Sequence, residues 1–82
     1  MRFTVTWQQQ AMDVLAELWL DSADADAVRQ AVDWLDRELQ ENPHTKGFLL
    51  WEDYLLGQGP IVVAYSVSLD DRLVDVWDVW HP

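Results

Sequence analysis

The sequence predicts an α+β domain in which a helical hairpin packs on one face of a mainly antiparallel four-stranded sheet, in the order β-α-α-β-β-β. Three observations predict it. Apolar and polar residues alternate at period two near the start of the chain and again through its last third, as in half-buried strands. Between these lie two stretches whose apolar residues recur every three or four positions, the period of a helix. Strand patterns and helix patterns are segregated rather than alternating, which favours helices gathered on one face of an antiparallel sheet.

The first strand is "RFTVTW", where Phe3, Val5 and Trp7 alternate with Arg2, Thr4 and Thr6. From Gln8 the period changes, and Ala11, Met12, Leu15, Leu18 and Trp19 form one apolar helical face. The stretch "DSADAD" breaks this helix and suits the start of another, because Ser and Asp oxygens accept otherwise unpaired backbone N–H groups. Val28, Ala31, Val32, Leu35 and Leu39 then make the stripe of the second helix. Arg29, Asp33, Arg37 and Glu41 follow one another at i+4 on its other side, the spacing of solvent-exposed ion pairs. The helix should stop at Asn42-Pro43, since proline disfavours helical backbone in the residue before it.

Gly47 opens "FLLWEDYLL", read as a single strand; "GQGP" is a turn, "IVVAYSVS" a β-branched strand, "LDDR" a second turn and "LVDVWDVW" the last strand. Closing the final hairpin on Asp70-Asp71 pairs Leu69 with Arg72, Val67 with Val74, Ser66 with Asp75, Tyr65 with Val76 and Ala64 with Trp77. Period two then puts Ile61, Val63, Tyr65, Val67, Val74, Val76 and Trp80 on the core face. Ser66, Ser68, Asp75, Trp77, Val62, Val79 and Ala64 fall on the other. Asp78 lands among the core residues, where a lone carboxylate is costly. Either Asp78 sits at the rim of the sheet, the preferred expectation, or the register slips by one near the end of the strand. Trp7, Trp19 and Trp80 are expected in the core, and Trp34 on the flank of its helix.

Length and composition bound the function. Residues 1–82 suffice for one domain, and a chain this short buries only about 60% of its unfolded surface. Half of the residues are hydrophobic and six are tryptophan, enough for a core without metal or disulfide. With no cysteine, thiolate zinc sites and cysteine nucleophiles are excluded, and a cytoplasmic location is expected. No apolar run is long enough to span a membrane, and "MRFTVTW" lacks the pattern of a signal peptide. Fifteen acids against five Lys and Arg give a net charge of −10, which repels phosphate backbones and anionic lipids. Direct nucleic-acid binding is thereby disfavoured, and a basic protein segment is the favoured partner.

The element order, together with "RFTVTW", "LAELWLDSADADAV", "NPHTKG" and "VAYSVSLDDRLVDVWDVW", resembles the RelE/ParE superfamily of bacterial type II toxins, which includes plasmid-stabilisation proteins. The resemblance spans nearly the whole chain and implies a toxin-like fold encoded beside a cognate antitoxin. Some members of that family cleave mRNA, many on the ribosome, and others inhibit DNA gyrase. The RNA-cleaving members work from the sheet face away from the helices, with basic residues and a few aromatic or histidine side chains.

On the matching face this sequence puts Asp75, a departure in sign. Phosphodiester cleavage needs a base, an acid and cations aimed at the developing charge. A carboxylate opposes the last of these. Under a nuclease reading the resemblance would use His81 as acid or base, with Arg72 or Lys46 on phosphate. Under a protein-binding reading the surface would be Trp77, Asp75 and Trp51, since exposed aromatic residues tend to mark interfaces. Asp75 and Asp78 stand an odd number of positions apart and so point to opposite faces of a strand, which argues against a metal set with His81. No metal or cofactor is expected. Three readings follow: a toxin-like protein acting by binding an antitoxin and a protein such as gyrase, an mRNA endonuclease of the same family, and a non-toxic adaptor or self-associating domain.

Overall fold

The computed structural model describes residues 2–21, 25–50 and 52–81. The expected helix start in "DSADAD" and Trp51 lie, in part and in whole, outside them. In chain order the elements are β1 (Thr4–Trp7), α1 (Gln9–Asp21), α2 (Ala25–Leu39), a 3-10 turn (Pro43–Thr45), β2 (Phe48–Leu50), β3 (Asp53–Gln58), β4 (Ile61–Ser68) and β5 (Leu73–Trp80). The sheet has five strands in the order β1-β5-β4-β3-β2. Only β1 and β5 run parallel; the other pairings are antiparallel. α2 ends before Asn42, which adopts the left-handed conformation ahead of Pro43.

The expected four strands become five because "FLLWEDYLL" folds back on itself. Phe48 pairs with Leu55, Leu49 with Tyr54 and Leu50 with Asp53. A single strand would send the adjacent Glu52 and Asp53 to opposite faces and so bury one of them against the helices. Reversal keeps Glu52 at an exposed tip and brings Tyr54 opposite Tyr65, where the rings stack with centroids 5.4 Å apart.

Among the described residues the core is wholly apolar in its buried members: Phe3, Ala11, Ala31, Leu35, Leu39, Ile61, Val63, Tyr65, Val74, Val76 and Val79 form one cluster beneath the helices. Tyr65 is its one buried hydroxyl, and it donates to the Pro43 carbonyl at 2.9 Å. Burial, with the neighbouring Tyr54 adding to it, pushes the Tyr65 phenol up to about 12. Gly47 (φ 63°) passes so close that a Cβ there would lie 2.6 Å from both the Leu55 carbonyl oxygen and the Tyr65 hydroxyl. Glycine alone accepts that backbone and that approach.

The last hairpin follows the expected register from Val67–Val74 through Ser66–Asp75 to Tyr65–Val76, and then departs from it. Ala64 pairs with Asp78 rather than with Trp77, so Trp77 is the extra residue of a β-bulge. Beyond it the phase reverses. Val79 turns into the core at 1% exposure, and Trp80, expected there, faces out at 37%. The bulge also takes Asp78 off the core face and leaves its carboxylate accepting the Val79 N–H at 2.9 Å. One added residue avoids burying a charge, which period two alone would have required.

Trp19 is the other core assignment that the structure corrects: it is 53% exposed. α1 lies against β5, with Ala11 fully buried and Val14, Leu15 and Leu18 packed against the core cluster. Met12 and Trp19 stay outside. The helix carries more apolar residues than one face can bury.

Candidate functional site

The sheet face away from the helices is the surface on which the sequence places a site, and β5 runs near its centre between β1 and β4. Thr4, Thr6, Leu73, Asp75, Ser66 and Ser68 share this face by their register. Asp75 is held by two neutral donors. Gln8 Nε2 donates to Oδ2 at 2.6 Å and Thr6 Oγ1 to Oδ1 at 3.4 Å, with Thr6 also reaching the Val74 carbonyl at 3.2 Å. Both partners lie on or just after β1, so the carboxylate pins the short parallel edge strand to β5. Among the described residues it has no cation within ion-pair distance.

Trp77 is half-buried at the bulge rather than displayed on an open strand. Its carbonyl accepts from Gln10 Nε2 at 2.7 Å, tying β5 to the first turn of α1. Its indole N–H is buried and, among the described residues, finds no hydrogen-bond partner. Of the three residues expected to bind a partner, Asp75 is an anchored carboxylate, Trp77 a bulge tryptophan, and Trp51 lies outside the described residues.

The residues singled out for phosphodiester chemistry do not converge. Arg72 lies in the turn before β5, in the left-handed conformation (φ 51°), with its carbonyl bonded to the Thr4 N–H at 2.8 Å. His81 is exposed just past the other end of the same strand. The eight residues of β5 lie between them, nine steps of about 3.3 Å or roughly 30 Å along the strand, whereas an acid, a base and a phosphate ligand must all lie within hydrogen-bond reach of one phosphate. Lys46 is committed elsewhere, donating to the Glu38 carboxylate at 3.2 Å and the Glu38 carbonyl at 3.0 Å on α2. Among the described residues no group of three or more histidines or acids could hold a metal ion, and no helix is long and apolar enough to cross a membrane.

The ladder expected along α2 does not form either. Arg29 pairs with Asp26 at 3.3 Å, one turn back, and Arg37 Nε bonds the Asp33 carbonyl at 3.4 Å rather than a carboxylate. The second chemically distinct surface is the outer side of α1, of which Met12 and Trp19 were expected on the core stripe and Ala16 and Leu20 were assigned to no face. Met12 (52% exposed), Ala16, Trp19 and Leu20 (86%) fall at i, i+4, i+7 and i+8. Ala16, Trp19 and Leu20 line a crevice of about 490 Å³ with Ala25 of α2. A smaller one of about 80 Å³ runs inward from Trp19 between Leu15, Val28, Arg29 and Val32. The signal was present in the sequence as a second apolar stripe on one helix.

Comparison with solved structures assigns the architecture. The chain is similar along its whole length to a chain of the RelBE2 toxin–antitoxin complex of Mycobacterium tuberculosis, with a TM-score of 0.79, 16% identity and coverage of 100% of this chain and 93% of that one. It is also similar to a chain of the chromosomal ParDE system of P. aeruginosa (TM-score 0.71, 11% identity, 98% and 96% covered). The intact RelBE toxin–antitoxin complex of E. coli gives 0.65 at 16% identity, with the same coverage. No protein-family model matches the sequence, and no curated protein matches it closely. The chain therefore has a RelE/ParE-like toxin fold, an α+β sandwich of two helices on a mixed five-stranded sheet.

Proposed function

We propose that this protein is the toxin-like component of a type II toxin–antitoxin module, that it acts through protein–protein binding, and that it is neutralised by a cognate antitoxin, with DNA gyrase as the candidate target. The observation that carries the reading is full-length similarity to chains of three toxin–antitoxin complexes, on a scaffold whose candidate catalytic groups are dispersed. Fold alone does not give activity. The chemistry of the open face is what favours binding over cleavage. Asp75 sits where phosphate would have to approach, Lys46 is paired on the helix side, and Arg72 and His81 stand at opposite ends of β5. At 4 Å a like charge costs about 1 kcal/mol in water and about 4 kcal/mol at an effective dielectric of 20, so Asp75 offsets most of what one cation would offer a phosphate.

Induced expression in bacteria, with and without the adjacent reading frame, tests this. The expected result is growth arrest with intact transcripts and altered DNA supercoiling, relieved by the neighbouring frame. Arrest with cut transcripts that His81→Ala abolishes would replace the binding reading with the nuclease. Absence of arrest would leave a non-toxic adaptor.

A further inference from the structure

We propose that the crevice between α2 and the β3–β4 turn binds a small aromatic monocarboxylate, an arylacetic or arylpropanoic acid, with its ring on Trp34 and its carboxylate on Arg37. The space is about 340 Å³, at the small end of small-molecule sites, and no residue of α1 or β5 borders it. Gln30, Trp34 and Arg37 follow one another at i, i+4 and i+7 along one side of α2, where the small Ala27 and Ala31 leave room beside them. Gly59 (φ 57°) turns the hairpin back over α2, so near that a Cβ there would lie 3.6 Å from the Ala31 side chain. Gln58 and Pro60 close the opposite wall. Binding here does not depend on the chain being a toxin.

The side chains select the ligand. Trp34 is half-buried, so its indole is a fixed platform on which an aromatic ring can stack. Arg37 Nε bonds the Asp33 carbonyl at 3.4 Å, which holds the guanidinium one turn back along α2, level with Trp34. Among the described residues no carboxylate lies within ion-pair distance of Arg37. Its terminal nitrogens are left for an acceptor, and a carboxylate matches their planar fork. A short spacer between ring and acid lets one molecule meet both groups. Gln30 and Gln58 are exposed and, among the described residues, make no side-chain hydrogen bond, so their amides can hold a polar substituent on the ring. Charge limits the acid to a single negative charge. Asp33 and Asp36 stand on the other side of Arg37, around a second crevice of about 250 Å³, and they repel a phosphate dianion more than a carboxylate.

The test titrates the isotope-labelled full chain with para-hydroxyphenylacetate and follows it by NMR. The expected result is saturable binding with a Kd of about 1 mM, with shifts at the Gln58 and Gly59 amides and at the Trp34 indole N–H. The neutral para-hydroxyphenylacetamide should bind about tenfold more weakly, and Arg37→Gln should erase the difference between acid and amide. Trp34→Leu should weaken both about fivefold. Ala27→Leu, which fills the crevice from the α2 side, should abolish binding. Trp19→Ala, outside the crevice, should leave it unchanged. The comparison of acid with amide needs no variant, and Arg37 is exposed, so neither result depends on whether Trp34→Leu folds. Equal binding of acid and amide by the unaltered chain would overturn the proposal. So would the absence of saturable shifts, shifts that map to α1 or β5, binding indifferent to Ala27→Leu, or phenyl phosphate binding as tightly as the carboxylate.

Discussion

Two apolar regions of this protein look alike in the sequence and differ in the fold: the stripe under the helices, centred on Leu35 and Tyr65, and the outer stripe of α1, centred on Trp19 and Leu20. The first is sealed, with Leu35 and Tyr65 fully buried, whereas the second leaves most of Leu20 and half of Trp19 in water. A helix of thirteen residues against one sheet has room to bury one stripe, and α1 turns Ala11, Val14, Leu15 and Leu18 inward. The inner region therefore contributes stability. What remains outside contributes little to it.

The largest effect that could break this contrast comes from the inner region. Leu35→Ala removes a buried side chain of α2 and should cost about 2–5 kcal/mol, lowering the thermal midpoint by roughly ten degrees or more. A loss under 1 kcal/mol by denaturant titration would mean that the helices are not packed as described. Gly47→Ala should cost about 2–4 kcal/mol, from the left-handed backbone together with a Cβ forced against the Leu55 carbonyl and the Tyr65 hydroxyl.

Tyr65→Phe should cost about 0.5–1.5 kcal/mol by removing the hydroxyl's bond to the Pro43 carbonyl, which keeps the Lys46 N–H at 3.4 Å, and it sharpens the comparison through pH. The folded phenol is pushed up to about 12 from an ordinary value near 10. Burial favours the neutral form, so this contribution is fully present below pH 10 and is lost as pH rises from 10 through 12, where the unfolded chain ionises first. Tyr65→Phe should remove that part of the alkaline loss, measured as unfolding free energy against pH. The smallest effect is on the outer stripe. Leu20→Ser should change stability by no more than about 0.5 kcal/mol, and a larger loss by thermal unfolding would show that Leu20 packs against the protein after all.

Much of the fold was legible because local rules and tertiary demands agreed. Period two in "RFTVTW" and "IVVAYSVS", the helical stripe from Val28 to Leu39 and the stop at Asn42-Pro43 all correspond to elements of the structure. The site was less legible. Asp75 was correctly turned outward, but its role in holding β1 depends on Thr6 and Gln8, nearly seventy residues away in sequence. The separation of Arg72 from His81, by contrast, is a consequence of strand length alone, and was there to be read.

By itself the sequence determined the order of elements, the helical hairpin, the Ser66–Asp75 register and the acidic charge, because each follows from local periodicity, turn chemistry or composition. Only the tertiary structure decided where those periods had to break. "FLLWEDYLL" reverses at its acids, the strand bulges at Trp77, and α1 chooses one of two apolar stripes. In the first two a regular continuation would have buried a carboxylate, and in the third it would have needed a second layer to cover the helix. The cost at Asp78 follows from period two alone, but where each period breaks is decided only when the sheet and the helices have met.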